Sequence, residues 1–204
     1  KYACLGQEEA CTGDPARRTG DEFTFQDMAG RNVSMFEKYK VKRVVTACPH
    51  CFNTLANEYH QFGERMEVLH HTQLLQKLVA DGKLNGADVS DSKTVFHDPC
   101  YLGRVNGESD APRALISKGS LLEPANRRHK TLCCGAGGGR MWMEEAPDQR
   151  PGNRRAEELL ATGADTVAIG CPFCRIMLDA SIKQVSNREI DIVDMAEMLQ
   201  RSNR

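Results

Sequence analysis

Apolar and β-branched positions group twice along this chain in the same order. At 41-VKRVVTACPHCFNTL-55 a short run holding Val41, Val44 and Val45 gives way to Cys-Pro-x-Cys, and Phe52, Leu55, Tyr59 and Phe62 then recur at helical spacing. At 164-ADTVAIGCPFCRIML-178 the run holding Thr166, Val167 and Ile169 gives way to the same clip, followed by Leu178, Ile182 and Val185. Short β-branched runs predict buried strands, and apolar positions three to four apart predict helices. Pro49 and Pro172 suit the first helical position, where the missing N–H costs nothing. A further strand and helix are predicted in 66-MEVLHHTQLLQKLVA-80 and in 190-IDIVDMAEMLQRS-202. A strand is predicted in 94-TVFHD-98, and 154-RRAEELLATG-163 predicts a helix closed by glycine.

Strands alternating with helices imply an α/β fold with mostly parallel sheets flanked by helices. The duplication divides it into two pseudo-repeated lobes, residues 1–92 and 93–204. Between them 81-DGKLNGADVSDSK-93, rich in Gly, Asn, Asp and Ser, is the expected linker.

The two clips are separated by 171 − 48 = 123 residues, and the same offset carries Cys11 onto Cys134. Each copy then has a cysteine, 36 intervening residues and Cys-Pro-x-Cys, an agreement hard to obtain by chance. This register sets Ala10 against Cys133 and Thr12 against Gly135, so the first copy reads as degenerate. A first-copy counterpart of Cys100 would fall at 100 − 123 = −23, before Lys1, and the chain is therefore expected to be a C-terminal piece of a longer protein.

Charge narrows the function classes. The 27 basic and 28 acidic residues nearly cancel and are interspersed, which argues against a nucleic-acid partner. No apolar run approaches the roughly 18 residues of a membrane-spanning helix, and the N-terminal residues do not read as a signal peptide. Nine cysteines in a chain expected in the reducing cytoplasm favour metal or redox chemistry over disulfides.

The second copy carries five of them: Cys100, Cys133, Cys134, Cys171 and Cys174. Thiolates hold iron–sulfur clusters and are stabilised where a cysteine sits at a helix N-terminus, as both clips would place theirs. Gly135, Gly137, Gly138 and Gly139 would let the backbone approach an inorganic core and aim amide N–H groups at sulfur. Adjacent cysteines and a fifth thiol fit a structural zinc site poorly, because zinc takes four ligands, usually from two separated clips. A zinc-binding interaction module nonetheless stays open, most of all for Cys11, Cys48 and Cys51. Cys4 matches no repeat position and reads as a buried thiol.

At these residues the sequence resembles the cysteine-rich CCG repeat of the heterodisulfide reductase catalytic subunit and of many iron–sulfur oxidoreductases. Cys100, Cys133-Cys134-Gly135 and Cys171-Pro172-Phe173-Cys174 match its full pattern. More narrowly, 8-EEACTGDPARRTGDEF-23, 48-CPHCFNTLANEY-59, 97-HDPCYLGR-104 and 133-CCGAGGGRMWMEE-145 look like membrane-associated oxidoreductases linked to electron-transfer flavoprotein and fatty-acid oxidation. The resemblance implies [4Fe-4S]-type clusters, with a non-cubane form at the full motif in heterodisulfide reductases. It also implies a flavoprotein electron donor, a quinone or disulfide acceptor, ferredoxin-like and membrane segments upstream, and a place at the inner face of the cell membrane. Disulfide cleavage at the cluster is the alternative activity.

Other features carry less. The glycine run lacks the Lys-Ser/Thr of a phosphate-binding loop and the spacing of a dinucleotide fingerprint. His70-His71 and His97-Asp98 lie at predicted strand ends, where sheet-based sites gather, although histidines at turns are commonly surface residues. Arg17, Arg18, Arg104 and Arg140 flank motif cysteines and could offset cluster charge or simply face solvent. Met141, Trp142 and Met143 are expected as a lid or core over the site.

Overall fold

Backbone hydrogen bonding in the computed structural model, which describes residues 2–203, gives the chain order α1 (Asp14–Thr19), α2 (Glu22–Lys38), β1 (Arg43–Thr46), α3 (Pro49–Asn57), β2 (Glu67–His70) and α4 (His71–Ala80). There follow β3 (Ala87–Asp88), β4 (Thr94–Phe96), α5 (Asp110–Arg113), β5 (Ile116–Lys118), α6 (Pro151–Leu160), β6 (Thr166–Ile169), α7 (Pro172–Val185), β7 (Asp191–Asp194) and α8 (Met195–Ser202). The fold is α/β, and every paired strand is parallel.

The duplication is built as the hydrophobic pattern suggests. Strand β1 pairs with β2 over Arg43↔Glu67 to Thr46↔His70, and β6 pairs with β7 over Thr166↔Asp191 to Ile169↔Asp194. In both copies a cysteine forms the N-cap and a proline the first turn of the helix that follows, α3 or α7. The second sheet has a further strand, β4, against β6, giving the order β4-β6-β7. Among the described residues β1 is paired on one side only.

Strand alternation sorts the second lobe's core into two faces. Val95, Val167, Ile169 and Ile192 pack on one side with Leu159 of α6 and Leu178 and Ile182 of α7. Phe96, Ala168 and Val193 pack on the other with Met195, Met198 and Leu199 of α8 and with Leu75 and Val79 of α4. The segment expected as a linker is partly core: Ala87 and Val89 join this second face, and β3 pairs with β5. Small apolar residues among its polar ones supply that packing.

The pattern did not announce α2, which the fold uses to cover the first lobe. Phe25, Ala29 and Val33, each four apart, bury against Leu55 and Tyr59, and Asp21 caps the helix by accepting the Thr24 N–H at 3.1 Å. Buried His70 joins the two lobes. Its Nδ1 meets the Thr72 hydroxyl at 2.7 Å and its Nε2 the Gly170 carbonyl at 3.1 Å, just before the second clip.

Candidate metal centre

Each sulfur of the second copy is placed by a strand end or a helix start. Cys100 follows β4 at the head of a helical turn, Cys171 caps α7 and Cys174 lies in its first turn. Cys133 and Cys134 come from the loop before α6, and Gly135 turns that loop in the left-handed region at φ 92°, where a side chain would be strained. The turn aims the Gly135 N–H at Cys133 Sγ, 3.2 Å away. Cys100 and Cys133 sulfurs are 4.0 Å apart. Cys134 lies beside Cys133 and within 4.8 Å of Cys174, Cys174 lies beside Cys171, and Cys171 beside Cys48 of the first lobe, itself next to Cys51. Seven sulfurs thus follow one another as neighbours across both lobes.

Only two of these sulfurs, Cys133 and Cys171, are favoured as thiolates, because buried sulfurs in a row cannot all be charged. Hydrogen bonds from Cys100 and Cys134, helped by the Gly135 N–H, pull the Cys133 thiol down to about 2. Hydrogen bonds from Cys174 and Cys48, with the α7 backbone N–H groups, likewise hold Cys171 well below an ordinary thiol. Their neighbours stay protonated in turn: donation to Cys133 raises Cys100 and Cys134, donation to Cys171 raises Cys48 to about 12, and Cys174 is raised well above.

The first copy corrects the expected register. Gly13 is left-handed, as Gly135 is, and its N–H meets Cys11 Sγ at 3.4 Å just as Gly135 meets Cys133. The offset here is 135 − 13 = 122, so Cys11 corresponds to Cys133 and Thr12 to Cys134; Ala10 has no such role. Thr12 Oγ1 accordingly donates to Cys51 Sγ at 3.4 Å, where Cys134 meets Cys174 in the second copy. The motif reads Cys-Thr-Gly, with one residue fewer before the clip. A gapless alignment hid this; the requirement for a glycine at positive φ could have revealed it. Cys11 itself is exposed, as is Cys4.

The glycine run faces the first lobe. A Cβ on Gly137 would meet His50 Cε1 at 3.4 Å and one on Gly139 would strike Thr19 Cγ2 at 2.6 Å, whereas Gly138 has open space and a φ of 70°. His50 is buried between the lobes, stacked on Tyr101 at 4.0 Å between centroids, with its Nδ1 2.8 Å from Asp14. Sequence reasoning missed this pair, and it missed Gly152, whose Cβ would lie 2.8 Å from the Cys134 carbonyl and 2.5 Å from Ser181 Oγ. Trp142 and Met143 are exposed rather than a buried lid.

The flanking arginines are engaged elsewhere: Arg17 and Arg18 with Glu58, Arg104 with the His129 and Thr131 carbonyls, Arg140 with Glu145. Asp98 is tied to Arg113 by two bonds of 2.8 and 2.9 Å and accepts the Arg128 N–H at 2.8 Å, a structural clamp on the loop. His71 bonds Asp194 across the lobes at 3.0 Å. The basic group at the pocket is Arg155, fully buried on α6.

An iron–sulfur cluster is a bulky anion that needs thiolates and inward-facing donors. The pocket fits one. Besides its thiols it holds two buried polar atoms without partners among the described residues, His97 Nε2 and Arg155 Nη2.

These features define a cysteine-rich domain. The Cysteine-rich domain family (CCG) matches residues 1–56 and 94–179, and the chain belongs to it. Over 98% of its length the chain is 42% identical to the probable iron-sulfur-binding oxidoreductase FadF of Bacillus subtilis, and over 97% it is 38% identical to the EtfAB:quinone oxidoreductase of Syntrophomonas wolfei. It spans 29% of the length of each. One polypeptide of the dihydromethanophenazine:CoB–CoM heterodisulfide reductase of Methanosarcina barkeri is 31% identical over 98% of the chain and 51% of that protein.

Proposed function

We propose that the chain is the electron-transfer module of an iron–sulfur oxidoreductase, with Cys100, Cys133, Cys134, Cys171 and Cys174 holding a four-iron cluster. The observation that carries this reading is the gathering of the second-copy sulfurs, with Cys100 and Cys133 4.0 Å apart and Cys134 and Cys174 within 4.8 Å, and with Cys133 and Cys171 favoured as thiolates. When bound, the cluster supplies one-electron chemistry. The protein's own residues fix its place, exclude water and set its charge environment: Cys133 and Cys171 are ready as anions, the Gly135 N–H supports Cys133, and Arg155 supplies positive charge. Cys48 and Cys51 lie beside each other and Cys48 beside Cys171, so with Cys11 they would supply the thiols of a second site, and an electron crossing between the lobes would pass between neighbouring sulfurs.

The relatives' names support a flavoprotein donor and a quinone or disulfide acceptor for the whole protein. A quinone lives in the bilayer, so the full-length protein would work at a membrane, although no helix among the described residues is long and apolar enough to cross one. Anaerobic reconstitution followed by iron and sulfide quantification and electron paramagnetic resonance tests the reading. Iron with acid-labile sulfide is expected in the wild-type chain, and Cys134→Ser should lose or convert the signal, since serine is the poorer ligand. Zinc without sulfide, or identical iron and spectra in Cys134→Ser, would refute the ligand assignment.

A further inference from the structure

We propose that His97 presents its Nε2–H as a hydrogen-bond donor to the cluster held by Cys134 and Cys174, kept in that tautomer by the buried guanidinium of Arg155, and that it raises the reduction potential of that cluster. The proposal rests on the iron–sulfur reading above. His97 directly follows β4, fully buried, with its backbone N–H on the Ala168 carbonyl at 2.9 Å. Strand alternation turns its neighbour Asp98 to the Arg113 clamp and His97 to the thiols. A ring nitrogen of His97 and the sulfurs of Cys134 and Cys174 all lie within 4.8 Å of one another.

Nearness alone would suggest that His97 is a ligand, but its other partner argues otherwise. Arg155 Nε–H donates to His97 Nδ1 at 2.9 Å. A guanidinium can only donate, so Nδ1 must present its lone pair and the ring proton must sit on Nε2. A ligating histidine needs the opposite arrangement: a bare nitrogen toward the metal and its second N–H given to a carboxylate or carbonyl. Here that outer place is filled by a donor. Nε2–H, which has no partner among the described residues, is left free to donate to a bound cluster. Hydrogen bonds to cluster sulfurs favour the more negatively charged, reduced state and so raise the potential. Arg155 is the positioning residue. Its Nη1 is anchored on the Asn126 carbonyl at 2.7 Å, which keeps Nε aimed at the imidazole.

The test uses the chain labelled with ¹⁵N-histidine, metal-free and after anaerobic reconstitution. Two-bond ¹H–¹⁵N spectra of the metal-free chain should show His97 as the Nε2–H tautomer. Electron–nuclear double resonance of the loaded chain should show a weak ¹⁵N coupling with an exchangeable proton. His97→Leu should lower the midpoint potential enough to change the oxidised-to-reduced ratio about tenfold, or about 59 mV for one electron. His97→Gln, which can accept from Arg155 and still donate, should recover much of that shift. An Nδ1–H tautomer in the wild-type chain, a strong ¹⁵N coupling of a direct iron ligand, or an unmoved potential in a fully loaded His97→Leu chain would each overturn the proposal. A wild-type chain that takes up neither iron nor sulfide would instead overturn the iron–sulfur reading, and the potential-setting role with it.

Discussion

Single residues decide the chemistry of this pocket through their hydrogen bonds more than through their identities. Cys133 and Cys134 are neighbours with opposite tendencies, because the first accepts from Cys100, Cys134 and the Gly135 N–H while the second donates. In the metal-free chain Cys133 should therefore be alkylated by iodoacetamide at a rate that is flat between pH about 6 and about 8, where an ordinary thiol gains about tenfold per unit. Peptide mapping of the labelled chain at several pH values reads this directly, and an ordinary thiol slope at Cys133 would contradict it. Gly152 is a residue-scale constraint of another kind. A methyl there would press on the Cys134 carbonyl and Ser181. Gly152→Ala should cost about 1–3 kcal/mol in urea denaturation, as overpacked sites do, and should also lower iron uptake by moving Cys134.

At the scale of elements, the repeated strand, clip and helix is the working unit, and the ends of β2 and β7 lock two such units together. His70 at the end of β2 is buried, and burial, followed by the neighbouring His71, lowers its pKa to about 3. Unfolded, it returns to about 6.5, so between these values the unfolded chain binds the extra proton. The stability that neutral His70 contributes is complete above about pH 6.5 and is lost as pH falls toward about 3, with a slope of at most about 1.4 kcal/mol per unit. His70→Gln should flatten the acid limb of stability, measured as urea midpoints from pH about 7 to about 4. An equally steep limb in that variant would assign the effect to other groups.

Across the whole molecule, the two lobes differ by what lies beside the central strand of each. In the second lobe β4 pairs with β6 and delivers His97 and Cys100 to the pocket. In the first, the corresponding edge of β1 is unpaired among the described residues, and a cleft of about 620 Å³ lies along Val44, Thr46, Cys51 and Leu55. A longer form of the protein that includes an upstream strand and cysteine should bind more iron per chain than residues 1–204 alone under the same anaerobic reconstitution, through completion of the Cys11, Cys48 and Cys51 site. Equal iron in both, with the first site full, would mean that this chain supplies every ligand itself.

The sequence by itself determined the duplication, the clips and the strands around them, because each is written locally: β-branched runs, a proline at the first helical position, and apolar spacing carry their own geometry. It also singled out the five second-copy cysteines. The tertiary structure alone decided what lies between those signals. Helix α2, whose apolar residues are scattered among charged and polar ones, is held by packing Phe25, Ala29 and Val33 on the first lobe. Val89, inside an apparent linker, is core because β3 finds β5. Likewise Arg155, 58 residues from His97, reads as a surface helix position until the fold buries both and fixes which ring nitrogen carries the proton. Covalent spacing encodes local conformation, whereas a hydrogen bond between distant buried groups exists only after the chain has closed around them.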